Sequence, residues 1–179
     1  MVFPSCMCYH TCNDTSRRPK RRGRFRKEVA IMGVEISLTG KNAIVTGGGG
    51  GMGRCTARML ARAGANVLVS DMDGAEAEET VAQIKAESDV KALSMVCNVT
   101  SKADIDRMVA AALDAFGRID ILNHIAGVFG AVDFLEATEA DYDKQLDINT
   151  KGTFFVDQAV LKAMIPNRAG KIVNMCSQA

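Results

Sequence analysis

The 179-residue sequence predicts an α/β protein: a doubly wound parallel sheet covered by helices on both faces. Three observations predict it. Short apolar runs alternate with helical periods from residue 43 onward. The first run, Ala43-Ile44-Val45, passes through Thr46 into five consecutive glycines and then into an amphipathic stretch. The second run, Val67-Leu68-Val69-Ser70, ends on an acid, Asp71, twenty residues past Gly51. Strands joined by helices must run parallel, and a parallel sheet must be buried on both sides.

Each element follows in order. Residues 43–46 read as the first strand. Glycine lets the backbone after it take positive φ and leaves room for a pyrophosphate. The next helix then points its unpaired N–H groups at the anion. Residues 52–62 form that helix, with Met52, Thr56, Met59, Leu60 and Ala63 expected on one apolar face, and Gly64 ends it. Residues 66–70 are the second strand. Asp71 behind it is placed to accept both hydroxyls of an adenosine ribose; the plainer alternatives are a solvated loop acid or the cap of the next helix. Residues 75–87 read as a helix with a charged outer face, and 90–96 as the third strand. Thr100 or Ser101 caps a helix that runs to Phe116. Residues 119–125 are the fourth strand and 127–135 a loop. Thr138 caps a long helical region ending near Pro166, and 170–176 are the fifth strand. This is a Rossmann-type nucleotide-binding arrangement, with its switch point near the first and fourth strands. Its ligand lies at the carboxyl ends of the strands, where the glycines, Asp71, Asn98, Ala126-Gly127 and Ser177 fall.

Composition excludes other classes. The chain is long enough for one domain with its own core, and no apolar run approaches the roughly 20 residues that span a bilayer. The net charge of +1 hides an asymmetry. Residues 1–31 carry eight Lys/Arg against two Asp/Glu, and the rest fourteen against nineteen, so only the tail is basic. Cys55, Cys97 and Cys176 lie in apolar segments and are expected to be small, reduced core residues of a cytoplasmic protein. In the tail, Cys6-x-Cys8-x-His10-x-Cys12 has metal-ligand residue types without the spacing of a zinc site, so no metal is expected. The basic run 17–27 is the only feature pointing to nucleic acid or a targeting address, and no apolar segment follows it to make a secretory signal. Residues 1–31 are expected to be a disordered tail and 32–179 the nucleotide-binding domain. The codons of Lys27-Glu28-Val29 can spell a bacterial ribosome-binding sequence just ahead of Met32, so our hypothesis is a leader read in frame. A nucleotide sequence without that purine pattern would remove it.

The glycines allow several registers. Gly48-x-Gly50-x-x-Gly53 fits the general dinucleotide pattern, and Thr46-Gly47-x-x-x-Gly51-x-Gly53 a longer one. A triphosphate P-loop needs Lys and then Ser/Thr after its last glycine; here Arg54 and Cys55 follow. Downstream residues decide between them. Thr46-Gly47-x-x-x-Gly51-x-Gly53, Asn98-Val99-Thr100, residues 119–122 followed by Ala126-Gly127, Asn149-x-x-Gly152, and residues 170–177 ending in Ser177 stand in that order. In this order and spacing the chain resembles the short-chain dehydrogenase/reductase family over nearly all of 37–179, its glucose/ribitol-dehydrogenase-like members in particular.

The resemblance implies a cofactor site made of Thr46, Gly47, Gly49, Gly51, Met52, Gly53, Asp71, Asn98, Val99, Ala126 and Gly127. It implies that Ser177 hydrogen-bonds the substrate oxygen and that Asn149 holds a proton-relaying water. Two departures stand out. His124 and Ile125 replace two Asn, and His124 is expected to tie neighbouring strands by a ring N–H as a structural residue. Asn98 replaces an acid, but its carbonyl can accept from the adenine amino group. An acid at the ribose welcomes two hydroxyls and repels a 2′-phosphate, and no Lys or Arg lies between Gly47 and Gly53, so NAD is expected rather than NADP.

The family's acid/base is a Tyr with a Lys four residues later, about 13 residues beyond this Ser by resemblance. Here Tyr9 is followed at that distance by Asn13 and Tyr142 by Leu146, and the chain ends two residues after Ser177. The expectation is an N-terminal fragment of an NAD-dependent dehydrogenase of secondary alcohols or ketones, truncated after the fifth strand and inactive alone. Its full-length form is expected to be a dimer or tetramer, with no nucleic-acid or membrane partner. The alternative is a dinucleotide-binding module without chemistry. The substrate is not specified; Phe129, Val132 and Phe134 after the fourth strand are candidates for its pocket or for loop packing.

Overall fold

The computed structural model describes residues 29–31, 34–130 and 132–177. The tail readings on residues 1–28, the cysteine-histidine cluster and the basic run included, lie outside the described residues. Two short strands come first, β1 (Val29–Ile31) and β2 (Val34–Ile36), paired antiparallel. This pairing crosses the boundary expected between residues 31 and 32.

A five-stranded parallel sheet follows. Its strands are β3 (Asn42–Thr46), β4 (Asn66–Asp71), β5 (Ala92–Val96), β6 (Ile121–His124) and β7 (Lys171–Asn174). They lie in the order β5-β4-β3-β6-β7, every pair parallel. The connections are α1 (Gly51–Arg62), α2 (Gly74–Glu87), α3 (Lys102–Phe116), then α4 (Glu139–Leu146) and α5 (Thr153–Met164) before β7. The chain moves outward from β3 to β5, returns to β3's other edge as β6, and moves outward again. β3 is therefore the switch point, as expected for the doubly wound fold.

Strand pleating divides the core. Ala43, Val45, Val67 and Val69 point to one face and pack with Ala57, Ala61, Ala77, Val81 and Ile84 of α1 and α2. Ile44, Leu68 and Leu122 point to the other and pack with Ile105, Met108 and Ala112 of α3 and Val156 and Val160 of α5. All five residues of β3 are buried, as the central strand of a two-faced sheet requires. At its start, the buried Asp120 accepts from the Asn42 N–H at 3.1 Å and pairs with Arg118 at 2.7 Å. Asn66 Nδ2 donates to Asn42 Oδ1 at 2.8 Å, and the Lys91 N–H to Asn66 Oδ1 at 3.0 Å, so side-chain amides bridge β3, β4 and β5 along that rim.

Caps set the helix starts. Asp73 caps α2 by accepting from the Ala75 and Glu76 N–H groups. Ser101, rather than Thr100, caps α3. Thr138 and Asp141 form a reciprocal capping box on α4. The Thr138 hydroxyl and N–H hold the Asp141 carboxyl below its usual range. The long helical region is not continuous: a π-helical stretch, Asp147–Gly152, separates α4 from α5, and a 3₁₀ turn, Ile165–Asn167, holds Pro166.

Two expectations are corrected. The α1 face against the sheet is Gly53, Ala57 and Ala61, joined by Leu60 and Ala63 as expected, while Met52 is largely and Met59 about half exposed. Small residues at four-residue spacing let α1 approach the sheet more closely than methionines would allow. Among the described cysteines only Cys97 is buried; Cys55 and Cys176 are exposed thiols. Cys55 lies off α1's buried line, and Cys176 follows the sheet's edge strand. Burial, and then the charge of Asp104, push the Cys97 thiol up to about 11, so it stays protonated.

The α1 seam is testable. Ala57→Leu inserts bulk where Ala57 is fully buried and should cost about 1–3 kcal/mol in urea unfolding. Met59→Leu on the exposed side should change stability by less than about 0.5 kcal/mol.

Candidate functional site

The carboxyl ends of β3, β4, β5 and β6 open onto a cleft of about 350 Å³. Gly47, Met52, Gly53, Asp71, Asn98, Val99, Ala126 and Gly127 line it, together with Ser70, Met72, Cys97, Ile125, Val128 and Ile148. Eight of the residues named from the sequence thus meet in one place. Thr46, Gly49, Gly51, Asn149 and Ser177 do not line it, while Gly50 does.

The glycine loop has no room for side chains at its ends. Gly47 has φ +65°, and a Cβ there would lie 2.7 Å from the Ala126 nitrogen. A Cβ on Gly53 would lie 1.9 Å from the Gly47 carbonyl oxygen. The loop therefore folds against both β6's exit and the first turn of α1. Gly50 caps α1 without a side-chain hydrogen bond, and the first turn contains no acid. Its amide donors and the positive end of the helix dipole are left for an anion.

Thr46 ties the loop to β6. Its hydroxyl oxygen accepts from the Ile125 and Ala126 N–H groups at 3.2 and 3.3 Å and lies 2.8 Å from His124 Nδ1. His124 thus joins neighbouring strands, as expected, through its ring Nδ1. Burial holds its pKa below the ordinary imidazole value, against the opposing charge of Asp157. Asp157 Oδ2 accepts from Asn174 Nδ2 at 2.7 Å, linking α5 to β7.

Asp71 ends β4. Its Oδ2 accepts from the Gly49 N–H at 2.9 Å and its Oδ1 from the Asp73 N–H at 3.1 Å. The cap of α2 is Asp73, so Asp71 is not that cap. Asn98 folds on itself: its Oδ1 accepts from the Thr100 N–H at 3.0 Å and hydroxyl at 2.9 Å. Asp104 fastens this turn by accepting the Asn98 N–H at 3.1 Å. That amide, with the Ser101 hydroxyl, holds the Asp104 carboxyl below its usual range.

Asn149 sits in the π-helical stretch and clamps the loop after β6. Its Oδ1 accepts from the Val128 N–H and its Nδ2 donates to the Val128 carbonyl, each at 2.8 Å. Ser177 is exposed just past β7. Phe129 and Phe134 are 78% and 91% exposed, so neither fills a pocket here.

One cluster was not legible in the sequence. Arg54 Nε donates to Thr80 Oγ1 at 3.0 Å, and its Nη2 donates to both the Gly49 carbonyl and the Glu76 carboxylate. The fully buried Thr80 hydroxyl lies 2.9 Å from the Gly48 carbonyl. Thr80 and Glu76 stand on α2, more than twenty residues from the loop they support. Spacing carries no signal for such a contact.

A fold wound both ways from β3, with a glycine loop at the switch point and an acid at the end of β4, defines a dinucleotide-binding protein. The sequence profile of the short chain dehydrogenase family matches residues 41–179, and the chain belongs to that family. It is 43% identical over 145 residues to a sorbitol dehydrogenase of Cereibacter sphaeroides, covering 80% of this chain and 55% of that protein. It is 39% identical over 144 residues to the (2S)-[(R)-hydroxy(phenyl)methyl]succinyl-CoA dehydrogenase subunit BbsD of Thauera aromatica, covering 80% and 58%. The crystal structure of gox2181 superposes with a TM-score of 0.75 at 34% identity, over 79% of this chain and 55% of that one. The chain spans a little over half the length of these relatives. Among the described residues no helix is long and apolar enough to cross a membrane, and no group of three or more His, Cys, Asp or Glu could hold a metal ion.

The buried imidazole makes a pH prediction. The unfolded chain protonates His124 in the ordinary histidine range, and the folded protein only at lower pH. Between those values the unfolded state binds more protons, so stability is full above the window and falls as pH drops through it. Urea midpoints measured from about pH 7.5 to 5 should fall, and His124→Asn should flatten that slope.

Proposed function

We propose that this chain is the dinucleotide-binding part of an NAD-dependent oxidoreductase of secondary alcohols or ketones. The observation that carries the reading is the cleft itself, lined by the first turn of α1, which has no side-chain cap, and by Asp71. The α1 amides and the side-chain-free surface of Gly47 and Gly53 suit a pyrophosphate. Each Asp71 oxygen accepts one backbone N–H and keeps a lone pair for a ribose hydroxyl. The same charge opposes a 2′-phosphate, which favours NAD over NADP. Val99, at the cleft wall, supplies apolar surface for an adenine.

The bound nicotinamide supplies the hydride acceptor or donor. Ala126 and Gly127 shape the cleft wall beyond the loop, and Asn149 holds that wall through Val128. By resemblance, Ser177 hydrogen-bonds the substrate oxygen and Asn149 holds a relay water. Neither Tyr9 nor Tyr142 has a Lys four residues later, so the reading includes no turnover by these 179 residues alone. Free thiols at Cys55, Cys97 and Cys176 fit a cytoplasmic setting, and the resemblance favours a homo-oligomer for the whole protein. A binding module without chemistry is the second reading; it shares the cleft and differs only in lacking turnover in any longer form.

Calorimetric titration of the 179-residue chain should show saturable NAD binding, and Asp71→Ala should weaken it about tenfold. Absence of NAD binding, or an Asp71→Ala affinity equal to wild type, refutes the assignment. Steady production of reduced nicotinamide from a secondary alcohol by this chain would overturn the inactivity reading.

A further inference from the structure

We infer that Glu76 is a cofactor-specificity residue: it engages Arg54 beneath the glycine loop and withholds that cation from a 2′-phosphate. This rests on the reading above, that NAD occupies the cleft. No Lys or Arg lies between Gly47 and Gly53 along the chain. In three dimensions a guanidinium is nevertheless present, because Arg54, one residue past Gly53, folds back onto the Gly49 carbonyl.

Gly49 joins the two charges. Its N–H donates to Asp71 Oδ2 at 2.9 Å, and its carbonyl accepts from Arg54 Nη2. A Cβ on Gly49 would lie 2.8 Å from both Asp71 Oδ2 and Glu76 Cβ. Asp71, Glu76 and Arg54 therefore surround one residue at the ribose corner. The Arg54 side chain is a quarter exposed and the Glu76 side chain about half, so the pair lies at the surface where a phosphate could arrive. Arg54 Nη2 also donates to the Glu76 carboxylate, and this cancels its charge. The neighbouring anion-binding feature is occupied as well. At the N-terminus of α2, Asp73 Oδ1 already accepts from the Ala75 and Glu76 N–H groups. A 2′-phosphate at this corner meets Asp71, a neutralised Arg54 and a filled helix cap. With the Glu76 charge removed, the guanidinium's charge is unbalanced beside the same position. Arg–phosphate contacts are charge-assisted and strong enough to change relative affinity about tenfold.

The test titrates the 179-residue chain with NAD and with NADP, and compares the ratio of the two dissociation constants across variants. Glu76→Gln keeps the size and a hydrogen-bonding group and should move the ratio toward NADP by about tenfold. That gain should shrink as salt rises. Glu76→Ala, a second variant, should move it in the same direction. Arg54→Met combined with Glu76→Gln should return the ratio to within about twofold of wild type, since the unbalanced charge is gone. The inference is overturned if both single variants keep the wild-type ratio, or if the double variant retains the gain. A wild-type chain that binds NAD while the variants leave the ratio unchanged defeats this inference alone. A wild-type chain that binds neither dinucleotide defeats it together with the reading beneath it.

Discussion

Gly53 sits against the Gly47 carbonyl so closely that a Cβ would lie 1.9 Å from its oxygen, and much of the rest of the structure follows from that contact. It closes the loop between β3 and α1. It places α1's first turn at the carboxyl end of the central strand. Gly47 in turn packs on Ala126, so the same backbone also meets the exit of β6. Two βα units are thereby brought to one point, and the cleft forms where they meet.

The packing around this contact extends it. Gly53, Ala57 and Ala61 form a line of small residues down α1, and the helix lies close to the sheet along that line. The bulkier methionines are turned outward, and Met52 reaches the cleft. On the second face the core is built from larger side chains, with Ile44, Leu122, Met108 and Val160 meeting between the sheet and α3 and α5. The two faces of one sheet are thus packed by side chains of different size.

Polar groups link the site to this frame. Thr46 carries two amides of the β6 exit and the His124 ring, so the glycine loop and the buried histidine share one hydroxyl. Arg54 and Thr80 support the same loop from beneath, on the α2 side. A loop held from both sides is preorganised for the anion it would receive, with little ordering left to occur on binding. β7 pairs with β6 on one edge, and Val173 and Met175 near its end are half exposed, which leaves an apolar margin on that side.

Alternating apolar runs were enough to predict five parallel strands and the helices between them, because burial on both faces demands such runs. The glycine spacing and Asp71 were legible because they act through local backbone geometry and fall at strand ends. Helix faces were less legible. Periodicity placed Met52 and Met59 on α1's apolar face, and hydrophobicity alone could not show that the sheet demands small residues there. The break in the long helix at Asp147–Gly152 left no mark in the pattern, since its residues remain helical. The fold, the family and the loop that faces the cleft were readable from residues alone, because all are encoded over short distances along the chain. The return of Arg54 to Gly49 and its pairing with Glu76 are set in three dimensions. That contact joins residues 22 apart on two different helices, and no local rule specifies how two helices meet over a loop.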